Sequence, residues 1–495
     1  MKNRLVLYLS LILLFLQSSL FATTITTEID LKEYLDAKEI VFEDISVQMG
    51  IANWNVYSQE GEADQDTPKT RFFELFNDQE LISTINTWYV KLETISDNTL
   101  KRRVEVWRNV LIGARVDMAE EVFKLENELE AKISEANENP DGLDAEVLRL
   151  MELRNKHAKE VGYEDYGAMM LELSGLGVGG FNYFVDEMIK RTEDSYKNLL
   201  VEVGREEVSM NDIRRMYGMF YRNSGPSGIE QADQMDIMKE TLANIGFNFD
   251  ELPIRFVEKE IPYGGNALAI TVPDDMRIVM NVGMPLSVWM HEVGHGLHGV
   301  LTTINQPILE GYEWCVGNQC PFFGEGMAEV GANMIRNEKW QQKYTTATQE
   351  EIESRFLTVQ KYFPAYIRFW FTNALFEVEL YKDLSRDPKE LRDEINRRLL
   401  NVDSSDQPFS LGTNIMYVSY PVYYQNYVFA SVIALQVHNT LRSKFGEDYM
   451  FNKEVGSWLQ ENLYSSGELE PWREKVKAAT GQEFDVDGYF KYFGL

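Results

Sequence analysis

The sequence predicts a mostly α-helical protein, one large domain in two lobes with a small β element, and three observations carry that prediction. Long stretches of the 495-residue chain set apolar residues three and four apart with charges between them, as helices with one buried face do. One run, NALAITVPDDMRIVMNV at 266–282, is rich in small and β-branched residues and reads as strand. The breaks between helical stretches hold turn formers, but none has the composition of a flexible interdomain linker.

Taken in order, MKNR followed by LVLYLSLILLFL and the small residues before Ala22 reads as a secretory signal over 1–22, too short to span a bilayer comfortably. That reading implies export to a periplasm or the outside, with an uncleaved amino-terminal anchor as the alternative, and leaves 23–495 as a single domain. Helical patterns occupy 99–135, 143–158 and 353–384, and turn-rich breaks fall at 58–70, 136–142, 222–228 and 403–413. SGLGVGG at 174–180 reads as a loop, and without a following Lys-Ser/Thr or a preceding strand it is not a phosphate-binding one. Cys315 and Cys320 are the two cysteines; a local disulfide and two separate thiols both remain open, and two are too few for a structural zinc site.

Composition sets the outer limits. With 44% hydrophobic and 12% aromatic residues the chain can bury a large core. Its formal net charge of −31 argues against a general affinity for nucleic acid or anionic lipid, which would be repelled before contact.

MHEVGHGLHG at 290–299 holds three of the five histidines in the chain. Pro285 can open a helix, and Leu286, Trp289, Met290, Val293, Leu297 and Val300 recur at helical spacing through the cluster. On that helix His291 and His295 project from one face and can share a metal ion, with Glu292 at its edge. This is the H-E-x-x-H arrangement, in which zinc acidifies a water and the glutamate takes its proton during attack on a carbonyl. Random placement of five His and 79 acidic residues gives the pattern in under ~1% of such chains.

A catalytic zinc needs a third protein ligand and an open position. Glu310, Glu313, Glu325 and Glu329 are the downstream candidates. GEGMAEVGANMI at 324–335 starts a second helix with Glu325 and Glu329 on one face, which predicts Glu325 as the ligand of a single Zn²⁺. Glu329, one turn on, is placed to accept a hydrogen bond from the outer nitrogen of His291 and fix its tautomer. His298 returns to nearly the same face as His291 and either lines the site or packs as an ordinary core histidine.

Beyond these residues the chain resembles the peptidyl-dipeptidase A (angiotensin-converting enzyme) family of zinc peptidases, while HExGHxxH is also similar to the thimet oligopeptidase group. The resemblance rests on ANWNVYSQEG (52–61), LRNKHAKEVGYEDYGAM (153–169), DDMRI (274–278) before the histidine helix, YYQNYVFASVIALQVHNTL (423–441), and the carboxy-terminal stretch from Trp472 through ATGQEFDVDGYF. It implies a deep central cleft that admits short peptides, His291, His295 and Glu325 as zinc ligands, Glu292 as base and later acid, and Glu329 behind His291. It also implies Tyr427 as hydroxyl donor to the tetrahedral oxyanion, Tyr424 as a contact to the carboxy-terminal side of the peptide, and a strand around Ala267 and Ala269 that pairs with extended substrate. Tyr417 stands where that family has a histidine, Ile415 where it has a lysine gripping a terminal carboxylate, and Asn426 where it has a chloride-binding arginine. The expected activity is release of carboxy-terminal dipeptides from short peptides, with internal cleavage by an oligoendopeptidase as the alternative. A non-catalytic peptide- or metal-binding protein is the third reading, and it leaves Glu292 without a purpose.

Overall fold

A computed structural model describes residues 25–62, 64–135, 142–204, 208–312 and 320–495. The expected signal segment and Cys315 lie outside these residues, as does Glu313. The fold is mostly helical, as the periodicity predicts. Helix α1 (Glu28–Ser58) opens on a capping box in which Thr27 accepts from the Asp30 N–H and Asp30 accepts in return. The pattern at 99–135 divides at Met118 and Ala119 into α2 (Asn98–Asp117) and a second helix, Glu120–Glu135. Helix α3 (Asp144–Glu160) follows. SGLGVGG is not a loop throughout, because the helix Gly177–Glu202 begins inside it. A left-handed Gly177 (φ +75°) makes that start compatible with the preceding turn. Among the described residues no helix is long and apolar enough to cross a membrane.

The predicted strand region resolves into β2 (Gly265–Thr271) and β3 (Asp275–Asn281), and a further strand, β1 (Ile254–Lys259), pairs parallel to β3. The order β1-β3-β2 leaves β2 at the edge, antiparallel to β3 with an irregularity between Ala269 and Thr271. Pro285 then caps α4 (Leu286–Val300), followed by α5 (Cys320–Met334), α6 (Gln349–Lys382) and α7 (Tyr424–Phe445).

Two hydrophobic cores flank the site. The larger gathers α4 to α7 around residues such as Val293, Met327, Phe371 and Phe429. The smaller joins α1 and α2 through Phe42, Trp107 and Tyr312. Within it, buried Glu39 accepts from Arg103 Nε (2.8 Å) and Trp107 Nε1 (3.0 Å), pinning α1 to α2.

The closest packing lies between α4 and α5. A Cβ placed on Gly294 would stand 2.6 Å from Ala328 Cα, and one on Gly331 would stand 2.3 Å from Met290 O, so the two backbones touch at this crossing. On the other side of α4, a Cβ on Gly299 would meet Met276 Sδ of β3 at 2.7 Å. Glycine inside a helix costs about 0.5–1 kcal/mol against alanine, a penalty that close packing on both sides offsets. Helix α7 locks the outer side of α5, because His438 donates through Nε2 to Val330 O (2.9 Å) and meets Tyr449 Oη through Nδ1 (2.9 Å). Burial drives the pKa of His438 down to about 4, and with both ring nitrogens engaged it is a neutral strut between α7 and α5.

Gly331→Ala forces a methyl into a carbonyl and should cost about 1–3 kcal/mol of unfolding free energy. Denaturant titration with and without zinc reads it, and the variant should also gain less stability from added metal than the parent.

Candidate metal centre

Spacing on α4 brings the two imidazoles together: the rings of His291 and His295 lie 5.1 Å apart between centroids. The α4–α5 crossing then delivers Glu325, whose Oε2 stands 3.5 Å from His291 Nε2 and 4.0 Å from His295 Nε2. Ligand atoms of all three lie within 4.8 Å of one another. Two neutral imidazole nitrogens and one carboxylate oxygen converging on a point is the donor set of a catalytic zinc with one position left open. The residues present fit that ion.

Supporting contacts orient each ligand. His291 faces Glu329 Oε1 through Nδ1 at 3.3 Å, which turns Nε2 toward the convergence point. Burial alone would lower the pKa of His291, but the Glu329 hydrogen bond and the Glu325 charge lift it above its ordinary value. Burial likewise pushes Glu329 upward, and His291 outweighs it and leaves Glu329 lowered. On Glu325 the second oxygen, Oε1, accepts from Tyr423 Oη at 2.8 Å.

These groups open into a cavity of about 490 Å³ bounded by α1, β2, α4, α5 and the Tyr420–Tyr427 segment. Glu292 is 8% exposed and lines it beside the two histidines. Gly265 passes directly over it, since a Cβ there would stand 3.2 Å from Glu292 Cγ. Five consecutive strand residues, Gly265 to Ala269, line the cavity. Side chains alternate along a strand, so an unbroken run means that the main-chain edge of β2 faces the space. Ala267 and Ala269 belong to this edge. Across the cavity, Tyr57 of α1 meets Tyr420, hydroxyl to hydroxyl, at 3.2 Å.

The tyrosines divide differently from the family-based expectation. Tyr427 lines the cavity, and burial, followed by the charges of Glu325 and Glu292, raises its pKa well above the usual tyrosine value, so its hydroxyl stays protonated and can donate. Tyr424 does not face the cavity. Its Oη accepts from Asn414 Nδ2 at 2.6 Å and its ring packs edge-on to Trp370 and Tyr417, because one residue along a helix turns the side chain by about 100°. Tyr423 and Tyr420 take the cavity positions instead, and sequence reasoning had assigned neither. The spacing of Tyr423 four residues before Tyr427 was the available signal. Tyr417 is buried against Phe376, and Asn426 lines the cavity. His298 lines the cavity at 3% exposure with its ring edge against Phe323, so wall and core roles coincide. Of the other proposed third ligands, Glu310 is buried apart from the histidines, where burial and then the charges of Glu43, Glu39 and Asp274 push its pKa up to about 8.

Residues 283–495, from just before α4 to the carboxy terminus, match Peptidase family M3. The chain is 24% identical over 229 residues to Oligopeptidase A of Salmonella typhimurium and of Escherichia coli, a stretch that is 41% of this chain and 31% of theirs. It therefore spans about a third of the length of the curated relatives it matches. The fold extends further than the sequence match. A carboxypeptidase from Pyrococcus furiosus superposes with a TM-score of 0.70 at 15% identity, covering 94% of this chain and 98% of that one. A putative oligoendopeptidase F from Bacillus anthracis does so with a TM-score of 0.58 at 15% identity, covering 96% of each. At such identities the likeness is one of fold.

Glu329→Gln keeps the shape but weakens the acceptor behind His291, and should reduce zinc affinity by about 10–100-fold. Competition with a chromogenic chelator measures this directly.

Proposed function

We propose that this chain is a zinc-dependent peptidase acting on short, extended peptides. One observation carries the reading: His291, His295 and Glu325 converge inside a cavity that also holds a free-standing carboxylate, Glu292, and a main-chain strand edge. A metal-storage site has no use for the last two. Bound there, zinc supplies Lewis-acid polarisation of a carbonyl and acidifies a water. Glu292 would accept the proton of the attacking water and pass it to the leaving amine. Tyr427 donates its hydroxyl to the developing oxyanion, and β2 holds the peptide by main-chain hydrogen bonds at Ala267 and Ala269. The match of 283–495 to Peptidase family M3 supports the same chemistry, since that stretch includes every proposed ligand and base.

Cleavage at internal bonds is favoured over release of carboxy-terminal dipeptides. A dipeptide-releasing enzyme must grip a terminal carboxylate. Among the described residues lining the cavity, Arg154 is the one arginine or lysine. Its guanidinium is already engaged by Tyr417 O (3.0 Å), Val418 O (2.6 Å) and Glu126 (2.9 Å). Relation to the peptidyl-dipeptidase A family, and dipeptide release with it, is the second reading, supported by the sequence segments at 52–61 and 153–169. We further propose export through residues 1–22, to a periplasm or the outside, and a single catalytic domain over 23–495.

Glu292→Gln should lower kcat by about 10²–10⁴-fold while zinc content, measured by atomic absorption, stays at the parent level. Mass spectrometry of one decapeptide, with its carboxy terminus free or amidated, separates the two specificities. Identical internal fragments from both forms support internal cleavage, and successive dipeptides lost from the free form alone support the second reading. A zinc-loaded protein that cleaves no member of a broad peptide library overturns the proposal itself.

A further inference from the structure

Two tyrosines of the cavity are carried by a turn, Tyr420-Pro421-Val422-Tyr423, that does not follow from its own sequence. Val422 has φ +55°, the left-handed region that β-branched residues avoid most strongly. Left to itself, this segment would relax to an extended or right-handed backbone and carry Tyr420 and Tyr423 away from the site. Both polar groups of the Val422 peptide are held from below by buried side chains. Glu377 of α6, fully buried, accepts the Val422 N–H through Oε1 at 2.8 Å. Gln425, at 2% exposure, donates through Nε2 to Val422 O. Arg154 of α3 holds the short helix Met416–Ser419 that precedes the turn by donating to Tyr417 O and Val418 O. Three buried polar groups from separate helices are a costly way to anchor a surface loop, and two of them, Glu377 and Gln425, meet on the one strained residue.

We infer that Glu377 and Gln425 are positioning residues that hold Val422 in its left-handed conformation and so fix Tyr423 on the metal ligand Glu325 and Tyr420 against Tyr57. The inference rests on the metal site argued above, and deepens it by tracing ligand orientation back to α6. The path is short: Glu377 Oε1 to the Val422 N–H, one peptide on to Tyr423, and from Tyr423 Oη to Glu325 Oε1 at 2.8 Å. Burial pushes the pKa of Glu377 up to about 8, so it works as a neutral acceptor, and glutamine can imitate it in shape and charge.

Zinc affinity of the full chain, read by competition with a chromogenic chelator, tests this without reference to activity. Tyr423→Phe sets the scale, an expected loss of about tenfold. Glu377→Ala should show a similar loss and Glu377→Gln should stay within about twofold of the parent. The deciding variant is Glu377→Ala combined with Val422→Gly, because glycine adopts the left-handed region without help: most of the lost affinity should return. Should Glu377→Ala fail to fold, Gln425→Ala with and without Val422→Gly gives the same comparison. Where peptide turnover is measurable, kcat should follow zinc affinity through the series at saturating metal and KM should change less. Parent-like zinc affinity in Glu377→Ala, or a Val422→Gly effect that adds to its loss instead of reversing it, overturns the inference. A parent protein that binds zinc but cleaves nothing removes the proposed peptidase and leaves the clamp to be decided by the affinity series.

Discussion

The contact on which everything else depends is the one between two helix backbones at Gly294 and Gly331. Paired imidazoles on a single helix supply two ligands at most, and the third has to arrive from a neighbour at a distance set by helix packing. Ordinary helix pairs stand 8–10 Å apart because side chains separate them. Removing the side chains at the crossing lets α5 approach until Met290 O and the Gly331 Cα region touch, and this places the Glu325 carboxylate within 3.5–4.0 Å of both imidazole nitrogens. Metal geometry here is a by-product of two absent methyl groups.

Around that centre the protein controls charge by burial. A chain of net charge −31 could be expected to crowd its cavity with ionised carboxylates. Instead, polar groups are arranged in donor–acceptor pairs: Glu329 on His291, Tyr423 on Glu325, and Tyr57 on Tyr420. The hydroxyl of Tyr427 is held in its protonated form by burial and the nearby carboxylates, so it faces the site as a donor. Even the deep arginine, Arg154, is spent on backbone carbonyls and Glu126 and contributes structure in place of a binding charge.

Much of this was legible beforehand, and the exceptions share a cause. His291, Glu292 and His295 declare themselves through a spacing that has one geometric meaning on a helix, and Glu325 and Glu329 through the phase they share one turn apart. The helical stretches at 143–158 and 353–384 fall within α3 and α6 or overlap them closely, because amphipathic periodicity survives in any tertiary context. Strand β1, IRFVEK, is not legible in the sequence because its charged residues blur the alternation. Tyr424 is expected at the substrate through the Tyr-x-x-Tyr pattern of the resembling family, whereas the cavity is lined by Tyr423, and which of the two faces it depends on where α7 begins. That point is set by Val422, whose left-handed backbone is imposed from Glu377 forty-five positions earlier. No local pattern encodes a conformation that the residue itself disfavours.

The edge position of β2 carries a consequence for the molecule as a whole. A strand with an unpaired row of amides and carbonyls is a standing invitation to other strands, including those of identical copies. This one is roofed by α1 and fronted by the tyrosine turn, so it can be reached by a slender, unfolded chain and not by the rim of another sheet. The enclosure that would confine the proposed recognition to unstructured polypeptide thus doubles as protection against self-association, and both depend on the same steric exclusion.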